Sequence, residues 1–349
     1  MNDAKISWKD VQALFCATAF GGMAAGHNIA ARAGMTGIPI VDIENACASS
    51  ASALRLCFQE IAAGYYDMCA VVGVEKTPKG FIVGSQYESW QRESGFAVTP
   101  AYMALQAKRY MHEYGMTPEH LALVSAKNHK NGTLDPFAMY QKELTTREIL
   151  KSDMVCDPLT LYMLAAPNEG AAAAILCATE TAKKYNDQLV QLSAASLKSP
   201  MYSSLYTKTY AMMCSSARVT NPMLTTMAAR EAYKEANVSP RQIDVAEVED
   251  GSSWEEIIAY EGLEFCNHGE GYKMIERGET NLGSRLPVNT SGGLLSKGDP
   301  VGASALGRVI EVVWQLRERA GARQVKGAKT GLCHMLGAGG NCSVVILKS

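Results

Sequence analysis

Neither sign of charge is in excess in this 349-residue chain, since 33 basic and 35 acidic residues leave a formal charge of -2. That balance argues against nucleic acid or an anionic membrane surface as a partner. No run of about 18 apolar residues occurs, and the opening MNDAKISWKD lacks the apolar core of a signal peptide. A cytoplasmic address and no membrane partner are therefore expected. The ten cysteines form no Cys-x-x-Cys pair, and most lie in apolar segments such as Phe15-Cys16-Ala17 and Ile175-Leu176-Cys177. Reduced, mostly structural thiols are expected, with no zinc site. His27, His112, His120, His129 and His268 show no paired spacing, and no Gly-x-x-x-x-Gly-Lys-Ser/Thr phosphate loop is present.

What is there is 47% hydrophobic and 19% charged, enough to bury a large core. Short β-branched runs alternate with helical patterns, the signature of a layered α/β protein. Strands are expected over Pro39 to Glu44, Met68 to Glu75, Asp187 to Leu197, Ile243 to Glu249 and Asn341 to Leu347. Helices are expected over Ser50 to Gly64, Thr225 to Asn237 and Ala303 to Arg319, the last with Val309, Val312, Val313 and Leu316 at helical spacing. SWKDVQALFCATA at Ser7 parallels SPRQIDVAEVEDG at Ser239, which suggests an internal duplication. The second copy is preceded by a strand and a helix, whereas the first has almost nothing before Ser7. The first half is thus expected to lack a first strand and helix, a gap closed by the shortened fold itself or by a partner. Residues 1–85 and 165–185 read as the first half, 186–349 as the second. Residues 86–164, within a stretch carrying Tyr87, Trp90, Tyr102, Tyr110, Tyr114 and Tyr140, read as a cap inserted into the first half.

Three segments carry chemistry. In ENACASSASAL, Glu44 to Leu54, Cys47 sits where a strand gives way to a helix. Helix N-terminal amides there are expected to lower the thiol pKa, and the small neighbours leave room for a thioester. In PVNTSGGLLSKGDPVGASA, Pro287 to Ala305, Gly292, Gly293, Gly298 and Gly302 permit close backbone approach to a ligand or serve loop geometry alone. In GLCHMLGAGGNCSVVIL, Gly331 to Leu347, His334 precedes a glycine-rich stretch able to offer backbone N–H groups to an oxyanion.

Together and in this order these segments resemble the thiolase superfamily, particularly the sterol-carrier-protein-type thiolases. VVGVEK (Val71 to Lys76), DPFAMYQ (Asp135 to Gln141), VCDPLTLYML (Val155 to Leu164) and NEGAAAAI (Asn168 to Ile175) extend the resemblance over nearly the whole chain. It implies a thiolase fold of two layered α-β-α-β-α halves, with Cys47 as acyl-accepting nucleophile. It implies His334 as acid/base, with Cys333 as runner-up, and the Leu336 N–H in the oxyanion hole. Coenzyme A would be a co-substrate and no cofactor permanently bound; a homodimer core and a small zinc-containing OB-fold subunit would be the partners.

Two departures matter. Gly298-Asp299-Pro300 stands where the family has Gly-His-Pro, and Val248-Glu249-Asp250-Gly251 where it has an asparagine- or histidine-led motif. An ionised carboxylate cannot donate a hydrogen bond to a thioester oxygen. Asp299 either orients His334 or has lost a role, and Glu249 and Asp250 either bind a polar substituent or cap the helix that follows. Ser291, Gly292 and Gly293 are expected at the substrate. The leading expectation is thiolytic cleavage of a 3-oxoacyl-CoA, with branched or aromatic chains as candidates. The alternatives are a retro-aldolase acting on a β-hydroxyacyl-CoA and a non-catalytic thiolase-fold subunit.

Overall fold

The computed structural model describes residues 1–80, 89–95, 97–185, 188–199, 223–338 and 340–349. Ten strands are formed among these: β1 (Ala13–Ala17), β2 (Ile40–Ile43), β3 (Met68–Lys76), β4 (Met154–Cys156), β5 (Leu159–Thr160), β6 (Glu169–Cys177), β7 (Gln191–Lys198), β8 (Val245–Glu247), β9 (Thr330–Gly337) and β10 (Asn341–Lys348). Two four-stranded sheets run β2-β1-β3-β6 and β7-β10-β9-β8, and β4 and β5 make a small hairpin.

The two sheets repeat one plan. β1 and β3 are parallel and β3 and β6 antiparallel; likewise β8 and β9 are parallel and β9 and β10 antiparallel. The place that β2 takes beside β1 is held in the second sheet by a single parallel bridge from Ala246 to Val288. The parallel seen in sequence extends to the turns. Ser7 and Ser239 each open a short 3-10 helix (Trp8–Asp10 and Pro240–Gln242) with a reciprocal capping box to the third residue on. The sheets differ at one edge. Antiparallel β10 is covered by β7 on its outer side, while among the described residues its counterpart β6 pairs with β3 alone.

Alternation along the strands sets the layers. Cys69 and Val71 of β3, Phe15 of β1, and Cys333 and Met335 of β9 point into one central core, packed on the helices Ser49–Ala62 and Ser304–Leu316 through Ala51, Leu54, Leu306, Val309 and Val312. On its other face the first sheet packs a small cluster around Leu14, Ala30 and Ala70. The second sheet buries a larger outer cluster, with Ala228, Ala232, Val248 and Tyr260 contributed from around the helices Met223–Ala236 and Ser253–Gly262. The result is helix, sheet, paired helices, sheet, helix. Among the described residues no helix is long and apolar enough to cross a membrane.

The expected elements are found with shifted ends. β7 begins at Gln191, and Asp187 lies outside the described residues. β8 stops at Glu247, two residues earlier than expected, because the Val248 N–H turns to Asn289 Oδ1 at 2.8 Å and the chain leaves the sheet. Much of the expected cap is core. The helices Thr99–Tyr114 and Pro118–Gly132 pack Tyr110, Leu121 and Val124 against Trp254 and Ile257 of the second half. Tyr102 and Tyr110 are fully buried, Trp90 is exposed, and Tyr87 lies outside the described residues.

Candidate active site

Cys47 sits in a 3-10 turn, Ala46–Ala48, between β2 and the Ser49–Ala62 helix. The turn is strained: Ala46 has a φ of 48°, a left-handed conformation that costs an L-residue about 1–2 kcal/mol. Neighbouring polar groups hold it. Ser49 Oγ donates to the Ala46 carbonyl at 2.6 Å and accepts from the Asn45 N–H at 2.8 Å, Glu44 Oε1 accepts from the Ala46 N–H at 2.8 Å, and Asn45 Nδ2 donates to Ser52 Oγ at 2.8 Å. The second half closes over it, for a side chain on Gly337 would meet Ala48 N at 3.0 Å.

Cys47 keeps partial solvent access, yet protein packs densely about its sulfur. Burial, then the charges of Asp299 and Glu249, raise its thiol well above the ordinary value; the Ala338 backbone N–H acts in the opposite sense. The lowered pKa expected from helix amides is therefore overturned. Backbone amides do not outweigh two carboxylates and desolvation here. Cys47 is thus a neutral thiol facing the carboxylates of Asp299 and Glu249.

Those carboxylates arrive on two loops. Asp299 follows Gly298, whose φ of 82° brings the chain past Asn168. Its Oδ1 accepts from Ser304 Oγ at 2.6 Å. Burial first, and then Glu249, raise Asp299 to about 6, with the Ser304 bond and Arg308 working against them. Glu249 lies just beyond β8: its N–H approaches His334 Nδ1 at 3.5 Å, its Oε2 accepts from the Leu336 N–H at 3.4 Å, and the same oxygen is 3.0 Å from Arg308 Nη1. Behind it Glu255 is raised well above its ordinary value, chiefly by burial and then by Glu249.

One carboxylate ties the halves together at this point. Glu75, buried at the end of β3, accepts from the N–H groups of Ala19 at 2.8 Å, Phe20 at 3.0 Å and Gly302 at 2.9 Å. Gly302 has to be glycine, since a Cβ would lie 2.7 Å from Thr18 Cα.

The residues singled out in the sequence divide accordingly. Cys47, Asp299 and Glu249 come together. His334 lies on β9 facing the outer helix layer, with Nε2 at 3.2 Å from Thr225 Oγ1 and Nδ1 toward the Glu249 N–H. Both ring nitrogens are thus occupied by groups other than Asp299, whose partner is Ser304. Burial, then the Arg308 charge, lowers His334 to about 3, so its ring is neutral at physiological pH. Cys333 points the other way, into the central core. The Leu336 N–H is spent on Glu249, and the backbone N–H directed at Cys47 is that of Ala338.

Asp250 is scaffold: it caps the short Gly293–Lys297 helix through the N–H groups of Leu294 at 2.8 Å and Leu295 at 3.3 Å. Gly293, at φ 60°, exists to admit it, for a Cβ there would sit 1.9 Å from Asp250 Oδ2. Gly292 packs on Gly132, and Ser291 Oγ donates to Glu247 at 2.6 Å. The helix after the 248–251 loop is capped by Ser252, not by Glu249 or Asp250.

Arg308, Glu255 and Ala338 were missed. The available signal for Arg308 was a lone cation inside the apolar pattern of the Ser304–Leu316 helix. Among the described residues no group of three or more His, Cys, Asp and Glu side chains is placed to hold a metal ion.

Residues 1–180 match the family model described as "Thiolase, N-terminal domain", and residues 207–349 match "Thiolase C-terminal domain-like". An acetyl-CoA acetyltransferase of Methanothermobacter thermautotrophicus is 36% identical over 359 residues, covering 99% of this chain and 90% of that protein. Sterol carrier protein 2 of Bos taurus is 34% identical over 362 residues, covering 99% of this chain and 66% of that protein. Among solved structures, one described as "Ltp2-ChsH2(DUF35) aldolase" superposes with a TM-score of 0.87 at 22% identity, over 100% of this chain and 89% of that one.

Proposed function

The chain belongs to the thiolase family, and we propose that it is an acyl-CoA C-acyltransferase cleaving a 3-oxoacyl-CoA through an acyl-Cys47 intermediate. The observation that carries this reading is the convergence of Asp299 and Glu249, from the second half, on the thiol of Cys47, from the first. A thiol raised so far must lose its proton in the step that uses it. Asp299, at about 6, suits a general base near neutral pH.

Asp299 takes the Cys47 proton as the sulfur bonds to the 3-oxo carbon. The bond between C2 and C3 breaks, its electron pair passes to C2 as the enolate of the shortened CoA thioester, and the proton held by Asp299 returns to C2. Coenzyme A then gives its thiol proton to Asp299, attacks the acyl group and releases Cys47, which is reprotonated. The Cys47 and Ala338 N–H groups are the donors proposed for the oxyanion, in place of Leu336. Neutral His334 fixes the Glu249 backbone.

A second reading rests on the same carboxylates. A base that can accept a proton from a thiol can accept one from the β-hydroxyl of a β-hydroxyacyl-CoA, giving a carbonyl product and a shortened acyl-CoA by retro-aldol cleavage. Intact-mass spectrometry after incubation with 3-oxoacyl-CoA esters separates the two. An acyl adduct lost in Cys47→Ala is expected. Cleavage that persists in Cys47→Ala without an adduct would assign the protein to the lyase class, and no reaction at all would assign it to the non-catalytic class.

We also propose a homodimer core and a small zinc-containing OB-fold partner. Support for the dimer comes from exposed Val41 on β2, an edge strand among the described residues, and from exposed Met23 and Met35 flanking the Ala25–Ala33 helix. Support for a second component comes from the outer edge of β6 and from the solved aldolase, whose name joins Ltp2 to ChsH2. Size measurement of the purified protein, alone and with co-expressed neighbours, tests both.

A further inference from the structure

Arg308 lies in the second turn of the Ser304–Leu316 helix and is wholly buried. Its Nη1 is 3.0 Å from Glu249 Oε2 and its Nη2 is 4.0 Å from Asp250 Oδ1. Among the described residues none of its three guanidinium nitrogens makes a well-directed hydrogen bond. Buried donors are normally satisfied, so a buried arginine held by ion pairs alone needs an account. Asp250 does not supply one, because its carboxylate is already taken by Asn128, Leu294 and Leu295.

The surroundings do. The 248–251 loop turns Glu249 and Asp250 toward Arg308, the 298–300 loop brings Asp299 within its field, and β9 adds His334 and Cys333. Glu255 and Glu256 stand behind Glu249 and Asp250, and Glu75 stands behind Asp299. Glu256 is paired with buried Lys127; the remaining acidic side chains still outnumber the one guanidinium among them, and two of them face Cys47.

We propose that Arg308 is a positioning residue that holds Glu249 through the 3.0 Å ion pair and whose charge keeps the neighbouring Asp299 carboxylate able to accept a proton from Cys47, so that the pH range of the reaction is set from within the Ser304–Leu316 helix. The proposal rests on the reading in which Asp299 accepts the Cys47 proton. Without the cation, carboxylates packed this close take up protons at neutral pH, and the base is lost before the nucleophile is reached.

The test compares wild type with Arg308→Met and Arg308→Lys, in the full chain, by the pH profile of kcat/KM for a 3-oxoacyl-CoA and by the infrared carboxylic-acid C=O band without substrate. For Arg308→Met the acidic limb is expected to rise by at least one pH unit, with a tenfold or greater loss at pH 7 and recovery toward pH 9. A new carboxylic-acid band at pH 7 should accompany it and disappear in the Arg308→Met/Asp299→Asn double variant. Arg308→Lys, which keeps the charge, should leave the limb within half a unit of wild type even where kcat falls. A loss of equal factor at every pH with no new band would overturn the proposal. If Arg308→Met does not fold, a Lys variant whose limb moves by a unit or more does the same. Wild type inactive toward every thioester would instead sink the acyltransfer reading, and the infrared comparison would still decide the role of Arg308.

Discussion

Asp299→Asn separates what the site needs from what the fold prefers. The carboxyl is raised from an ordinary value of 3.8 to about 6, first by burial and then by Glu249. A raised acid binds its proton more tightly in the folded chain than in the unfolded one. Its penalty is therefore absent below the unfolded value, grows between 3.8 and about 6, and is complete above that. At full weight a rise of that size corresponds to about 3 kcal/mol. Asp299 is only partly buried by surface exposure, and solvent screening reduces the expected cost to about 1–2 kcal/mol. The amide keeps the shape, can accept from Ser304, and does not titrate. Urea unfolding should thus find Asp299→Asn more stable than wild type by about 1–2 kcal/mol at pH 8, with the gap closing toward pH 4. Acylation of Cys47 should fall by about two to four orders of magnitude, the usual yield of a general base. A variant less stable than wild type at pH 8, or a stability gap that ignores pH, would refute the electrostatic reading of the site.

Other expectations follow from the same geometry. Gly293→Ala should cost about 3 kcal/mol or more by urea unfolding, joining a left-handed backbone penalty to the loss of the Asp250 cap. Glu256→Gln should cost about 3–5 kcal/mol, because it leaves Lys127 buried beside a neutral partner. His334, lowered to about 3, should show a neutral ring by NMR from pH 8 down to pH 5, its signal assigned by loss in His334→Gln; an imidazolium at pH 5.5 would contradict the burial argument. Because that pKa is depressed, the contribution of His334 to stability is whole above about 6.5 and declines as the pH falls below it.

Much of the architecture was readable from periodicity, and the paired Ser7 and Ser239 turns made the duplication readable from two short segments. β6 was not read as a strand, since Gly170 to Ala174 carries almost no β-branched side chain and only pairing with β3 defines it. The sequence leaves the aromatics of residues 86–164 open between ring-binding and core, because no pattern in it tells the two apart; the burial of Tyr102 and Tyr110, the latter against Trp254, places these two in the core. At the site, Cys47 and the unusual Asp299 and Glu249 were visible as residue types in telling places. The placement of His334 was not, since strand alternation decides which face of β9 it takes, and that face looks away from the central core toward Thr225. Arg308 escaped notice because burial of a charge is a property of the assembled layers.

The Glu75 carboxylate, which gathers amide hydrogens from Ala19 and Phe20 on one half and Gly302 on the other, works as a locating pin between two castings. Cys47 and Asp299, the nucleophile and base of the proposed reaction, belong to different halves, so thermal sliding of one sheet past the other would translate directly into misalignment, and an error of about 1 Å can cost a hundredfold in rate. Indexing the Asp299 loop to the end of β3 removes that freedom close to where it would do harm. The outer helices can then drift, in motion or over evolutionary time, without carrying the chemistry out of register.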